Sequence, residues 1–168
     1  HLEEALLLLS RLDAGTLPLK TEAVDVYTVV SLAADNLQEM FDAAGLSVDI
    51  PEMGEMEIMA DLDWTMEALM NLFKNCAEYT PPGGTVHCAC SQNPLYTEII
   101  LWDEGKGFDK EDIPHLFERF YRGKNAADNG TGIGLSLSRE IIERQNGTIR
   151  AVNQPGRGGT FEIRFYSH

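Results

Sequence analysis

Gly130-Thr131-Gly132-Ile133-Gly134-Leu135 runs directly into the amphipathic stretch Ser136-Leu137-Ser138-Arg139-Glu140-Ile141-Ile142. Glycines at alternate positions leave backbone N–H groups uncovered and let the main chain approach a ligand closely. A helix starting behind them adds unpaired N–H groups and the positive end of its dipole. That chemistry suits phosphate, although a glycine-rich turn before a helix is also an ordinary connection. In Asn71-Leu72-Phe73-Lys74-Asn75-Cys76-Ala77-Glu78-Tyr79-Thr80 the two asparagines stand one helical turn apart and project from one face. Their amide carbonyls are hard, neutral oxygen donors suited to a Mg2+ that also carries phosphate oxygens and water. Two asparagines on one helix serve equally as solvated surface. Asp103-Glu104-Gly105-Lys106-Gly107-Phe108 closes an apolar strand. An Asp in that place is either a turn former or an acceptor at the lip of a pocket, where it selects a base with an exocyclic amino group such as adenine.

Elements must hold these three segments together. Leu2 to Leu12 has a helical pattern with Asp13-Ala14-Gly15 as its stop. Leu6, Leu7, Leu8, Leu9 and Leu12 surround more than one face, which predicts packing against another chain or an element outside this sequence. The alternative is a helix folded back on the domain's own core. Thr16 to Glu22, with Pro18, reads as a linker. Val24 to Val26 predicts a short strand, Val29 to Ala44 a helix ended by Gly45, and Ser47 to Ile50 with Met56 to Ala60 a hairpin around Pro51-Glu52-Met53-Gly54. Asp63 is the expected N-cap of a helix over Trp64 to Tyr79. Thr85 to Ser91 and Thr97 to Asp103 read as strands joined by a turn containing Asn93-Pro94, followed by short helical pieces in Lys110 to Tyr121 and a polar loop from Arg122 to Asn129. A helix from about Gly134 to Gln145 precedes the strands Thr148 to Asn153 and Thr160 to Tyr166. Five to seven strands and three longer helices predict an α/β fold, a two-layer sandwich with a mixed sheet.

Composition narrows the function classes. At 168 residues with 43% hydrophobic content, the chain fits one domain with a proper core. No apolar run approaches the roughly 18 residues that span a bilayer, and no signal-peptide pattern opens the chain. A net charge of −14 argues against a nucleic-acid partner, which requires clustered Lys and Arg. An acidic protein holds an anionic phosphate locally, through backbone amides, a cation or a few placed basic groups. Three cysteines without zinc spacing fit a reducing cytosol, and Cys88 and Cys90, two apart on a strand and sharing a face, are expected to pack in the core, with metal binding as the alternative.

Together these segments resemble the ATP-binding catalytic domain of sensor histidine kinases, within the fold shared with gyrase, heat-shock protein 90 and mismatch-repair ATPases. Asn71-x-x-x-Asn75 with Tyr79-Thr80-Pro81 resembles the family's N box, Asp103-x-Gly105-x-Gly107 its G1 box, Leu116-Phe117-Glu118-Arg119-Phe120-Tyr121-Arg122 its F box, and Gly130-x-Gly132-x-Gly134-Leu135 its G2 box. Gly156-x-Gly158-Gly159-Thr160-Phe161 is similar to the family's turn before the final strand. The resemblance implies a mostly antiparallel sheet of about five strands packed on three helices. It divides the chain into the end of a dimerisation and phosphoacceptor helix (1–15), a linker (16–22) and the catalytic domain (23–168).

By the same resemblance, Asn75 ligates Mg2+ on the ATP phosphates with Asn71 close by, both counted as catalytic. Asp103 reads the adenine amino group, and Gly105 and Gly107 admit the base. Phe117 and Phe120 anchor a lid, with Arg122 bordering it. Gly130, Thr131, Gly132, Ile133, Gly134 and Leu135 wrap the phosphates, Thr160 sits near adenine, and Tyr79 either stacks beside the nucleotide or serves as a core aromatic. The implied reaction moves the ATP γ-phosphoryl group to a histidine on a dimerisation domain, for relay to the Asp of a response-regulator receiver. None of His1, His87, His115 and His168 lies in the family's acceptor context, so that domain is expected to be absent here. The implied setting is cytoplasmic, tied to a membrane only through segments upstream.

The chain departs from the family's pattern in three places. Glu78 stands where many members carry a Lys or Arg that contacts phosphate, leaving Arg119 and Arg122, ahead of Lys74 and Lys124, to compensate. Cys76 replaces Ala, and Gln145-Asn146-Gly147 replaces a His-Gly-Gly run, which is expected to change only a helix end. In the ATPase branch, and in the serine kinases of the fold, a Glu four residues before the metal-binding Asn activates the nucleophile; here that position is Asn71, which cannot act as a base. A GHKL-type ATPase or serine kinase is thereby disfavoured. A non-catalytic nucleotide-binding module remains as the other reading, kept alive by Glu78. Ser136 and Ser138 read as helix-surface serines.

Overall fold

A computed structural model describes residues 2–121 and 133–167. In chain order the elements are α1 (Leu2–Asp13), β1 (Glu22–Asp25), α2 (Val26–Asp35), α3 (Gln38–Ala44), β2 (Ser47–Asp49), β3 (Glu57–Ala60), α4 (Leu62–Tyr79), β4 (Thr85–Gln92), β5 (Tyr96–Trp102), a 3-10 turn (Ile113–His115), α5 (Gly134–Glu143), β6 (Gly147–Asn153) and β7 (Gly159–Tyr166). A five-stranded sheet has the order β2-β4-β5-β7-β6, parallel only between β2 and β4. The helices cover one face of it, giving the two-layer α/β sandwich with a mixed, mostly antiparallel sheet that the sequence predicted.

Alternation along β5 places Thr97, Ile99 and Leu101 inward. With Phe161, Ile163 and Phe165 of β7 they meet the apolar face of α4, including Leu69, Leu72, Phe73 and Cys76, and Ile141 and Ile142 of α5. Burying each of the larger side chains contributes about 1.5–3 kcal/mol before entropy is counted. Phe73 also meets Phe41 of α3 edge to face, with centroids 6.3 Å apart.

The expected hairpin between residues 47 and 60 does not form. Val48 instead pairs with Val86 in a parallel ladder, while β3 crosses to β1, with Val24 opposite Ile58. Pro51 lacks the N–H a ladder requires, and burial of Ile58 and Ala60 fixes β3 in the small two-stranded sheet. The single helix expected over Val29 to Ala44 is two, α2 and α3, broken at Asn36-Leu37. Val30, Ala33, Ala34, Leu37 and Phe41 are all buried at spacings of three and four, so helical periodicity runs unbroken across the interruption. Gly45, with φ 71°, ends α3 as expected.

The N-cap of α4 is Asp61, not Asp63. Its carboxylate accepts from Trp64 N–H at 2.9 Å and from Lys20 N–H at 2.8 Å, while Asp63 falls in the first turn, where negative charge is favourable. Gln145 does more than alter a helix end. Its Oε1 accepts from Asp61 N–H at 2.6 Å and its Nε2 donates to Thr65 Oγ1 at 3.0 Å, tying the end of α5 to the start of α4.

Helix α1 is amphipathic in place. Leu9 and Leu12 are buried in the shared core, whereas Leu6 and Leu7 are exposed. Its C-terminal end is fastened twice. Arg144 Nη1 donates to Leu12 O at 3.0 Å, and Arg119 binds Asp13 through Nη2 at 2.7 and 2.6 Å.

Candidate functional site

Helix α4 aligns the candidate groups. Asn71, Asn75 and Tyr79 recur at four-residue spacing, so a rise of about 1.5 Å per residue separates the first from the last by about 12 Å. All three are half-buried. At the Asn71 end, Gly134 opens α5 so close that an added Cβ would stand 3.6 Å from Asn71 Cγ. Ser138 Oγ donates to Ala68 O and to Gly134 O, each at 3.0 Å, fixing α5 against α4. The two serines are buried within the helix, not on its surface, and Ser136 Oγ is bonded to Ile133 O at 2.8 Å. Both hydroxyls are committed to backbone carbonyls, so neither acts as a nucleophile.

In the middle of the helix, Asn75 Oδ1 is buried and has no hydrogen-bond partner among the described residues. An unsatisfied buried carbonyl oxygen costs about 1–3 kcal/mol, and such oxygens usually have a partner. A hard cation is a partner that a neutral amide oxygen accepts well, so the donor present fits Mg2+.

At the Tyr79 end, Asp103 lies just past β5 and is 1% exposed. Its Oδ1 accepts from Gly105 N–H at 2.8 Å and Gly159 N–H at 3.1 Å. Burial pushes its carboxyl above the ordinary Asp range, and those two backbone bonds hold it back in part. The glycines here are required by contact. An added Cβ on Gly105 would sit 2.2 Å from Tyr79 O, and one on Gly158 would sit 1.8 Å from Asp103 Oδ1. Gly107 has φ 89°, and the turn it makes is pinned by Asn153, whose Oδ1 accepts from Phe108 N–H at 2.7 Å and whose Nδ2 donates to Phe108 O at 2.8 Å. Thr160 is fully buried and donates to Gly158 O at 3.2 Å.

An aromatic series joins this pocket to the segment before residue 122. Tyr79 meets Phe108 at 6.4 Å, Phe108 meets Phe161 at 5.4 Å, and Phe117 meets Phe161 at 6.3 Å, with the Arg139 guanidinium 5.8 Å from the Phe117 ring. Burial raises the Tyr79 hydroxyl above its usual range. Phe117 is thus built into the core, whereas Phe120 is 56% exposed with φ 66°. Tyr121 donates to the Asp112 carboxylate, and that bond pushes its hydroxyl up to about 12.

The structure therefore gathers Asp103, Gly105, Gly107 and Tyr79 at one end of α4 and Asn71 with Gly134 at the other, while Thr160 stands opposite Trp102 in the sheet and reaches this end only through its bond to Gly158 O. Ile133 is buried at the start of α5 and Leu135 half-buried. Arg122, Gly130, Thr131 and Gly132 lie outside the described residues. Arg119, expected to compensate for Glu78, is instead engaged by Asp13. Sequence reasoning gave no role to Asn153 or Glu104 and too small a one to Gln145; Glu104 accepts from Thr85 N–H at 2.8 Å and pairs with His87 Nε2 at 2.9 Å. Each acts across 17 to 84 positions of chain, beyond the reach of local spacing.

Residues 60–167 match the family described as histidine kinase-, DNA gyrase B- and HSP90-like ATPase. The chain is 35% identical over 159 residues to the sensor-like histidine kinase SenX3 of Mycobacterium tuberculosis, covering 92% of this chain and 38% of that protein. It is 30% identical over 158 residues to the signal transduction histidine-protein kinase BaeS of Escherichia coli, covering 92% and 34%. Among solved structures, the Acinetobacter baumannii histidine kinase AdeS superposes with a TM-score of 0.82 at 26% identity, covering 99% of this chain and 77% of that one. The chain spans well under half the length of the curated relatives it matches.

Proposed function

The chain belongs to the histidine kinase-, DNA gyrase B- and HSP90-like ATPase family, and from that premise we propose that it is the ATP-binding catalytic domain of a sensor histidine kinase. It transfers the γ-phosphoryl group of ATP to a histidine on a separate dimerisation domain, and a response-regulator receiver takes the group from there. The observation that carries this reading is the buried Asn75 Oδ1, without a hydrogen-bond partner among the described residues and placed on α4 between the Asp103 pocket and Gly134.

Asp103 accepts a hydrogen bond from the adenine amino group through the carboxylate oxygen that Gly105 and Gly159 leave unused. Gly105 and Gly107 keep the entrance low enough for a flat base, with Tyr79 at its edge. About 12 Å further along α4, Asn71 and Gly134 flank the phosphates, and Ile133 with Leu135 seat the start of α5 there. Asn75 would hold Mg2+, and that ion would supply positive charge to offset the nucleotide phosphates. Positioning supplies most of the remaining rate.

Asn71 is an amide and takes no proton from water, which favours transfer to a delivered imidazole over hydrolysis. Residues 1–15 are assigned to the end of the dimerisation helix, 16–22 to the linker and 23–168 to the catalytic domain, on the cytoplasmic side of a membrane reached through other segments. No described helix is long and apolar enough to cross one. The test is to mix the chain with ATP labelled at the γ-phosphate, Mg2+ and a purified histidine-bearing dimerisation domain of one of its relatives. Acid-labile label on that domain supports the kinase. Release of inorganic phosphate alone supports an ATPase, and binding with neither outcome supports a non-catalytic module.

A further inference from the structure

Trp102 occupies the last position of β5, immediately before Asp103. Strand alternation sends Leu101 and Asp103 toward the helices, where both are buried, and Trp102 to the opposite face of the sheet. There it is gripped from both flanks of the strand. His87, directly across on β4, stacks on it with centroids 5.1 Å apart and planes 13° from parallel. From the β7 side, the Arg157 guanidinium lies 3.8 Å from the indole centroid.

Both contacts lead back to Asp103. His87 Nε2 meets Glu104 Oε2 at 2.9 Å, and Nδ1 meets Asp49 Oδ2 at 3.3 Å, so the residue after Asp103 is tied to the ring that stacks on the residue before it. Arg157 immediately precedes Gly158 and Gly159, whose N–H groups donate to Asp103 O at 2.9 Å and Asp103 Oδ1 at 3.1 Å. The turn Gly156-Arg157-Gly158-Gly159 has three glycines in four residues, one of them at φ 78°, and such backbone is intrinsically loose. Arg157 is its one long side chain, and it lands on Trp102.

We propose that Trp102, stacked by His87 and Arg157, is a positioning residue that holds the Gly158–Gly159 turn on Asp103 and so sets how well the pocket distinguishes adenine from guanine. The inference rests on the reading of Asp103 as the purine-contacting carboxylate. Trp102 does not face the pocket. It acts through the turn, whose Gly158 N–H holds the Asp103 backbone carbonyl and whose Gly159 N–H holds the carboxylate Oδ1. A carboxylate free to swing accepts from adenine less well and is a weaker obstacle to guanine, whose carbonyl replaces the amino group.

The experiment titrates the chain calorimetrically with non-hydrolysable ATP and GTP analogues, as wild type, Trp102→Ala, Trp102→Phe, Arg157→Gln and Asp103→Asn, each checked by thermal melting. Trp102→Ala and Arg157→Gln are expected to lower the adenine-over-guanine preference by about tenfold, the scale of one well-formed cation–π contact. Trp102→Phe, which keeps a stacking ring, restores most of it. In a Trp64→Phe background, indole emission shifts on binding the adenine analogue although Trp102 faces away from the pocket. Equal weakening for both nucleotides, or an unchanged preference in Arg157→Gln, a turn residue whose loss spares the core, overturns the inference and leaves the Asp103 reading intact. An unchanged preference in Asp103→Asn overturns both.

Discussion

Asp103 and Gly159 exchange hydrogen bonds in both directions. The Asp103 N–H donates to Gly159 O at 3.1 Å, and the Gly159 N–H donates to Asp103 Oδ1, also at 3.1 Å. One strand end and one glycine turn thus fix the carboxylate through backbone groups alone. This explains how a carboxyl 1% exposed is held in a single direction in a protein of net charge −14.

That arrangement gives pH two opposite effects. Burial places the folded-state pKa of Asp103 above its unfolded value, so the folded chain binds this proton more tightly. Its contribution to stability is present at low pH and is lost as pH rises through the folded pKa. With Asp103 as the proposed adenine acceptor, nucleotide binding needs the ionised carboxylate and is expected to change the other way, weakening as pH falls through the same raised value. Asp103→Asn removes both dependences. Melting temperature and analogue affinity, measured from pH 4 to 7 for the two proteins, should diverge in opposite senses. Parallel behaviour of wild type and variant would contradict the assignment.

Gly158→Ala forces a Cβ to within 1.8 Å of Asp103 Oδ1, and Gly105→Ala forces one to within 2.2 Å of Tyr79 O. Neither neighbour is the end of a flexible chain, so both variants should be destabilised by about 1–3 kcal/mol, the usual range for overpacking. Gly54→Ala, which meets nothing within 4 Å, should stay within about 0.5 kcal/mol. Urea denaturation midpoints at constant slope decide the comparison.

Helix α1 should behave as two faces in mutagenesis. Leu9→Ala empties a fully buried site and should cost about 2–5 kcal/mol. Leu7→Ala, on the exposed face, should fall within about 0.5 kcal/mol. The Asp13–Arg119 pair is partly exposed on both sides, so Arg119→Gln should cost less than about 1 kcal/mol despite its two short contacts, and less again at high salt. Equal costs for Leu7 and Leu9 would mean that α1 does not pack on this core.

Much of this was legible because it is local. Alternation along Thr97 to Trp102, the glycine spacings and the four-residue repeat of Asn71 and Asn75 each lie within one element, where side-chain period dictates the face. What was not legible depends on distant partners. Pairing of Val48 with Val86 and of Val24 with Ile58 is decided by which sheet each strand joins, so the apparent hairpin was a coincidence of proximity in sequence. The break at Asn36-Leu37 is hidden because Leu37 keeps the helical spacing while pivoting into the core. Asp61 displaced Asp63 as the N-cap because Lys20 and Gln145 also converge on it, 41 and 84 positions away. Trp102 reads as one more apolar strand residue until His87 and Arg157 are seen against it.

The central claim is that Asn75 offers its buried oxygen to a divalent ion carrying nucleotide phosphates. It is tested most directly by calorimetry with a non-hydrolysable ATP analogue, with and without Mg2+, on wild type and Asn75→Ala. The account predicts that Mg2+ strengthens binding to the wild type by at least about tenfold, or 1.4 kcal/mol, and that this increment vanishes in Asn75→Ala while metal-free binding is retained. An undiminished Mg2+ increment in a folded Asn75→Ala protein would contradict it.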